Sequence, residues 1–154
     1  MANTYSQINI HAIFAVKGRE NLLKKSFREE LFKYMSGILK SKNQFSLCVN
    51  GHNDHVHVFF ELSTSTAISD IIRDVKANSS RWINENKFVP GKFSWQEGYG
   101  AFSYSRSQRN NVIQYIMDQE KHHQKKSFKE EYLGLLEKFE IAFQDEYMFD
   151  FIER

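Results

Sequence analysis

A chain of 154 residues with 41% hydrophobic content, 14 Phe and 7 Tyr is long enough for one folded domain with a real core. Its net charge of +2 excludes a strongly basic nucleic-acid binder, so any such contact has to come from local patches. The single cysteine, Cys48, excludes an internal disulfide framework and fits a reducing, cytoplasmic setting; no apolar run is long enough to span a membrane.

One proline and 7 glycines argue against long linkers, and the N-terminal Met-Ala-Asn-Thr-Tyr-Ser lacks the regions of a signal peptide. Residues 1–154 are therefore expected to form a single domain, closed by a C-terminal helix and tail over about 127–154.

Residues 4–17 alternate as a strand, with Ile8, Ile10, Ala12 and Phe14 on one side and Gln7, Asn9 and His11 on the other. His11 thus lies on a partly polar face, either near a site or as a satisfied half-buried histidine. Lys17-Gly18-Arg19 forms a basic turn. Residues 26–41 have the spacing of an amphipathic helix, with Phe27, Leu31, Met35 and Ile38 on its apolar stripe. A strand over 44–50 then leads through Gly51-His52-Asn53-Asp54 as a hairpin connection. No second cysteine or paired spacing supports a zinc site at Cys48 and His52.

The next strand, Asp54 to Phe60, carries two histidines. Residues two apart on a strand share a face, so His55 and His57 project together while Val56, Val58 and Phe60 point toward a core. Such a pair is either structural or able to hold one divalent metal ion, for which neutral imidazole is a common ligand.

Ser63 to Thr66 offers a helix start, and residues 67–85 read as a helix with Ile68, Ile71, Ile72, Val75, Trp82 and Ile83 inward. Its cations Arg73, Lys76 and Arg81 are either a solvated face or contacts to phosphate. The glycine-punctuated aromatic stretch 92–105 is strand-like; Trp95 and Phe102 are expected in the core, although such residues can also stack unpaired bases. Ser107 can cap a helix over 108–124 with Val112, Ile113, Ile116 and Met117 inward. At about 100° per residue, Tyr115, Gln119 and His122 lie along one edge of that helix, at the border with the sheet. The run 121–126, with Lys125 and Lys126, is positive and suits phosphate. A last helix over 128–143 and an aromatic, acidic tail complete the chain.

Strand, helix, strand, strand, helix, strand is the order of an α+β fold of the ferredoxin-like or RRM-like kind. Two helices cover one face of its antiparallel sheet. The other face is free for the histidines and the Tyr115 helix. A tyrosine is only about 0.1% phenolate at neutral pH, so a nucleophilic role needs a base or a nearby cation.

His55-Val56-His57 resembles the His-hydrophobic-His motif of HUH endonucleases. Residues Val112 to Gln119 resemble the catalytic helix of the single-tyrosine transposases of bacterial insertion sequences. Trp95 to Phe102 and Gln119 to His123 are also similar to that family, and the resemblance covers nearly the whole chain. It implies Tyr115 as nucleophile, with His55, His57 and Gln119 as ligands of Mg²⁺ or Mn²⁺. It also implies single-stranded DNA with hairpin ends as substrate, a 5′-phosphotyrosine intermediate and a homodimer. Lys17, Arg73, Lys76, Lys125 and Lys126 are the expected DNA contacts. The alternatives are a non-catalytic single-stranded nucleic-acid-binding module, and a domesticated or replication-initiator nuclease of the same chemistry.

Overall fold

Alternation along one strand sets the architecture. In β3 (His55–Glu61), Val56, Val58 and Phe60 enter one hydrophobic cluster, while Phe59 enters another on the opposite face with His55 and His57. The computed structural model describes residues 4–18, 21–144 and 148–149. In it β3 lies between β1 (Asn9–Ala15) and β2 (Phe45–Gly51), and β4 (Gly100–Tyr104) pairs with the other edge of β1. The order is β2-β3-β1-β4 with every pairing antiparallel, the expected ferredoxin-like α+β topology.

The first face of the sheet is covered by α1 (Lys25–Ser41) and α2 (Ile68–Glu85). Phe27, Leu31, Met35 and Leu39 recur every fourth residue along α1 and are buried against Ile71, Ile72, Val75 and Ile83 of α2 and the inner side chains of β1 and β3. Truncating a fully buried residue such as Leu31 or Met35 to alanine costs about 2–5 kcal/mol. Helix α2 matches the expected 67–85 within one residue, with Ala67 rather than any of Ser63–Thr66 at its N-cap. Ser63 is engaged elsewhere: its backbone N–H donates to Gln44 Oε1 (2.8 Å), and its hydroxyl accepts from Gln44 Nε2 (2.8 Å).

The second face is covered by α3 (Arg109–Met117), α4 (Gln119–His123) and α5 (Phe128–Lys138). Val112 and Ile116 of α3 pack on Phe59, while Phe128, Tyr132, Leu135 and Leu136 of α5 pack on Ile13 and Phe102. Met148 and Phe149 fold back onto the α5 cluster.

Three segments differ from the sequence pattern. The stretch 92–105 is a strand only over Gly100–Tyr104, because Gly98, with φ +84°, turns the chain. Before that turn, Trp95 bridges Val16, and Gln96 is tied to Ala15 O by its backbone N–H (2.8 Å) and to Val16 O by its amide (3.0 Å). Trp95 and Phe102 are both buried, as expected. The helix expected over 108–124 is divided at Asp118 (φ −92°, ψ 23°), and its first turn is a 3₁₀ turn at Arg106–Gln108 capped by Ser105 rather than Ser107. Met117, assigned inward by spacing, is exposed at this division. The last helix ends at Lys138 because Glu140 adopts a left-handed φ of +55°. Arg19 and the tail residues 145–147 and 150–154 lie outside the described residues, as does the side chain of His122. Among the described residues no helix is long and apolar enough to cross a membrane.

Candidate metal and nucleophile centre

The hairpin β2–β3 presents His55 and His57 side by side on the second face, both fully buried. Each imidazole is oriented from behind. His55 Nδ1 lies 2.8 Å from Asp54 Oδ1, and His57 Nδ1 lies 2.7 Å from His11 Nε2. With their Nδ1 atoms engaged, both rings turn Nε2 inward, the arrangement that fixes imidazoles around metal ions. His11 therefore serves as the support of His57.

Helix α3 brings Tyr115 to the same place. Arg109 pins its start through Asn9 Oδ1 (3.0 Å) and Glu61 Oε2 (2.9 Å). At its other end Asn50 Nδ2 donates to the carbonyls of Ile116 (2.9 Å) and Met117 (3.3 Å), in the last turn of the helix. The Tyr115 ring stands edge-on to His57, with centroids 6.0 Å apart. Beyond the division at Asp118, α4 sends the buried Gln119 inward, its Oε1 3.0 Å from His55 Nε2 and 3.1 Å from His123 Nε2. Arg28 braces this corner, donating to Asn53 Oδ1 (3.0 Å) in the hairpin loop and to Glu120 (3.2 Å) on α4.

Helix α5 completes the centre. Ser127 caps it by accepting from Glu130 N (3.1 Å), and the Phe128 ring stacks on His55 at 3.9 Å and 5°. Glu131, 5% exposed, then enters among the histidines. Its Oε1 is 3.1 Å from His123 Nε2, 3.3 Å from His55 Nε2 and 3.4 Å from His57 Nε2. Its Oε2 accepts from the Tyr115 hydroxyl and from Gln119 Nε2 (3.1 Å).

Charge follows from this packing. Burial works against the Glu131 carboxylate, but His57, His123 and His55 outweigh it and hold the group well below the usual carboxylate range. Burial keeps His57 and His11 below the ordinary histidine value. Burial also opposes charge on His55, yet hydrogen bonds to Asp54 and Glu131 raise it to about 9. Burial, then the Glu131 charge, pushes the Tyr115 phenol upward, so it stands as a protonated donor.

The donor set fits a cation. His55, His57 and Glu131 each offer a ligand atom, all within 4.8 Å of one another, and could hold a metal ion. Ligand atoms sharing one cation at about 2.0–2.2 Å stand about 3.0–3.5 Å apart. The inward Nε2–oxygen distances, from 3.0 to 3.4 Å, lie in that range. Among the described residues His57 Nε2 is buried without a hydrogen bond of good geometry, its nearest polar neighbour being Glu131 Oε1 at 3.4 Å.

The sequence-predicted residues His55, His57, Tyr115 and Gln119 thus meet at one point. The predicted DNA contacts do not. Arg73 and Lys76 stand on α2, across the sheet from the histidines; Arg73 pairs with Asp70 (3.3 Å) and Asp74 (3.2 Å). Lys76 Nζ donates to the carbonyls of Gln96 (2.9 Å) and Gly98 (2.6 Å), an architectural use. Lys17 is exposed after β1, and Lys125 and Lys126 are exposed just before α5. Of these, Lys126 borders a cavity of about 440 Å³ whose wall includes Tyr115, Tyr104, Gln108, Asn111 and Lys138.

Sequence reasoning missed Glu131 and His123. Glu131 is legible in one respect: it falls between Phe128 and Leu135 on the apolar stripe of α5, where a carboxylate has no reason to be unless paired. His123 lies one turn after Gln119, but its neighbours Lys121, Lys125 and Lys126 give the run the look of a solvated basic end.

No curated protein matches the chain. Among solved structures, one from Deinococcus radiodurans R1 described as a candidate transposase is 21% identical, with a TM-score of 0.62 over 77% of this chain and 95% of that one. A second, the REP-associated tyrosine transposase bound to a REP hairpin, is 12% identical, with a TM-score of 0.58 over 80% of this chain and 73% of that one. At these identities the two show a shared fold. The family model described as Transposase IS200 like matches residues 4–119, which include β1 to β4 and the side chains His55, His57, Tyr115 and Gln119. The chain belongs to the IS200-like transposase family.

Proposed function

We propose that this transposase cleaves and rejoins single-stranded DNA through a 5′-phosphotyrosine on Tyr115, with Mg²⁺ or Mn²⁺ held by His55, His57 and Gln119. The observation that carries the reading is the meeting of the Tyr115 hydroxyl and the inward Nε2 atoms of both histidines on one buried carboxylate. Simple base stacking needs no such constellation. When bound at this centre, a divalent cation supplies Lewis-acid polarisation of a phosphodiester.

The chain's own residues do the rest. Asp54 and His11 hold the two imidazoles in place, and α3, fixed at both ends, holds the phenol beside them. Attack by Tyr115 Oη forms the Oη–P bond and breaks the P–O3′ bond. The phenol gives up one proton and the departing 3′ oxygen takes one up, so a 3′-hydroxyl leaves. The phosphotyrosine keeps the energy of the broken bond, and attack by a 3′-hydroxyl reverses the step. The cavity bordered by Tyr115, Lys126 and Lys138 gives the flanking nucleotide a place to lie.

Further parts of the proposal are that residues 1–154 act as one domain, in the cytoplasm, as a homodimer, and on DNA that folds into hairpins. The fold shared with a transposase bound to a REP hairpin supports the last of these. Lys17, Arg73, Lys76, Lys125 and Lys126 are proposed DNA contacts, whose effect should weaken with salt.

The test uses labelled single-stranded DNA from the flanks of the gene, with Mn²⁺, and looks for a protein–DNA adduct that survives denaturant. An adduct lost both in Tyr115→Phe and with a chelator establishes the chemistry. Tight DNA binding without any adduct would overturn it in favour of a binding module.

A further inference from the structure

The carboxylate of Glu131 faces two ways. Oε1 sits among the Nε2 atoms of His123, His55 and His57 at 3.1, 3.3 and 3.4 Å, while Oε2 receives the hydroxyl of Tyr115 and the amide of Gln119. Burying an unpaired carboxylate costs several kcal/mol, so its place on the apolar stripe of α5 is sustained by these partners. Phe128, stacked on His55 one turn earlier, holds the start of α5 to the same spot. Helix α5 lies after the residues matched by the family model, so Glu131 is no part of that pattern.

We infer that Glu131 is a positioning residue that joins the cation site to the nucleophile, one oxygen facing the cation and the other aiming the Tyr115 phenol. The inference rests on the proposed metal-dependent tyrosine chemistry. Its physical basis is the planarity of the group: both oxygens turn together, so a cation that draws Oε1 also re-aims Oε2 and whatever hydrogen-bonds to it. Occupancy of the metal site and orientation of the phenol are then linked, and linkage works in both directions.

The test needs no turnover. The full chain is titrated with Mn²⁺ by calorimetry as wild type, Glu131→Gln, Glu131→Ala and His57→Ala. In parallel, tyrosine labelled with ¹³C at Cζ is followed by NMR during a Mg²⁺ titration, with Tyr115→Phe identifying the resonance. Glu131→Gln is expected to bind Mn²⁺ about tenfold more weakly or worse. The Tyr115 resonance, which moves with Mg²⁺ in the wild type, is expected to stay still in that variant. Glu131→Gln keeps the shape of the side chain, so the experiment stands even where Glu131→Ala fails to fold. Wild-type affinity in Glu131→Gln, or an unchanged Tyr115 response, overturns the inference. Wild-type affinity in His57→Ala overturns instead the metal-site reading beneath it.

Discussion

The ring of His11 stacks on that of His57, centroids 5.0 Å apart, and sets its Nε2 2.7 Å from His57 Nδ1. For His57 Nε2 to carry a free lone pair, the proton must sit on Nδ1 and be donated to His11. In that tautomer His11 is the acceptor that orients a candidate ligand from the neighbouring strand. His11→Ala is expected to lower Mn²⁺ affinity by about 10–100-fold, the usual effect of removing such a support. His11→Gln, which keeps an acceptor, should recover part of it. Calorimetry on both variants checks this, and equal affinities in wild type and His11→Ala would remove His11 from the design.

A cation that binds only the folded chain must stabilise it. At Mn²⁺ a hundredfold above its dissociation constant, the gain is about 2.7 kcal/mol. For a chain of this size that corresponds to a rise of about 5–10 °C in melting temperature. The rise should vanish in His57→Ala and be reversed by chelator in the wild type. A melting curve indifferent to Mn²⁺ in the wild type would count against the metal centre as a whole.

Gly51 closes the hairpin that delivers His55. A Cβ at this position would run into the backbone carbonyl of His55 and approach Val56 Cα to 3.0 Å. Neither is the movable end of a side chain, so the hairpin itself has to shift. Gly51→Ala is expected to cost about 1–3 kcal/mol and to weaken Mn²⁺ binding along with stability. Denaturant unfolding paired with calorimetry reads both quantities. Full stability would show that the hairpin has room to yield.

Asn50 holds the carbonyl end of α3 through Ile116 and Met117. Asn50→Ala frees that end and is expected to cost about 1 kcal/mol in stability. Adduct formation should fall by more than stability alone explains, since Tyr115 loses its fixed position. The measurement is adduct rate at a temperature where wild type and variant are both fully folded; equal rates would mean that α3 is held well enough by Arg109 and its packing.

Much of this was legible in the sequence, for a physical reason that also explains what was not. The period of two in β3 separated His55 and His57 from Val56, Val58 and Phe60, and the fourfold spacing in α1 identified its buried stripe. Periodicity reports which side of an element faces inward. It does not report where an element stops, so the division at Asp118 and the end of α5 at Lys138 were missed; each depends on a backbone angle at one residue. Nor does it tell which inward side chains meet across elements. Tyr115 and Gln119 could be placed together because they share a chain segment. Glu131 comes from a separate helix, and in a sequence its carboxylate looks like that of its exposed neighbour Glu130. Lys76 shows the converse: a cation expected at DNA from its charge also donates to the carbonyls of Gln96 and Gly98, a contact that no periodicity reports.

The alternation along β3 has an evolutionary consequence. Even-numbered positions of that strand sustain the core, while positions 55 and 57 serve the centre on the opposite face. Substitutions at the two histidines therefore strike the face under α3 and α5, where Glu131 loses partners, and leave the packing of α1 and α2 against the other face in place. A lineage that lost the proposed chemistry through these positions would still inherit the core beneath α1 and α2, and such a silent descendant is raw material for a role that uses that part of the scaffold alone.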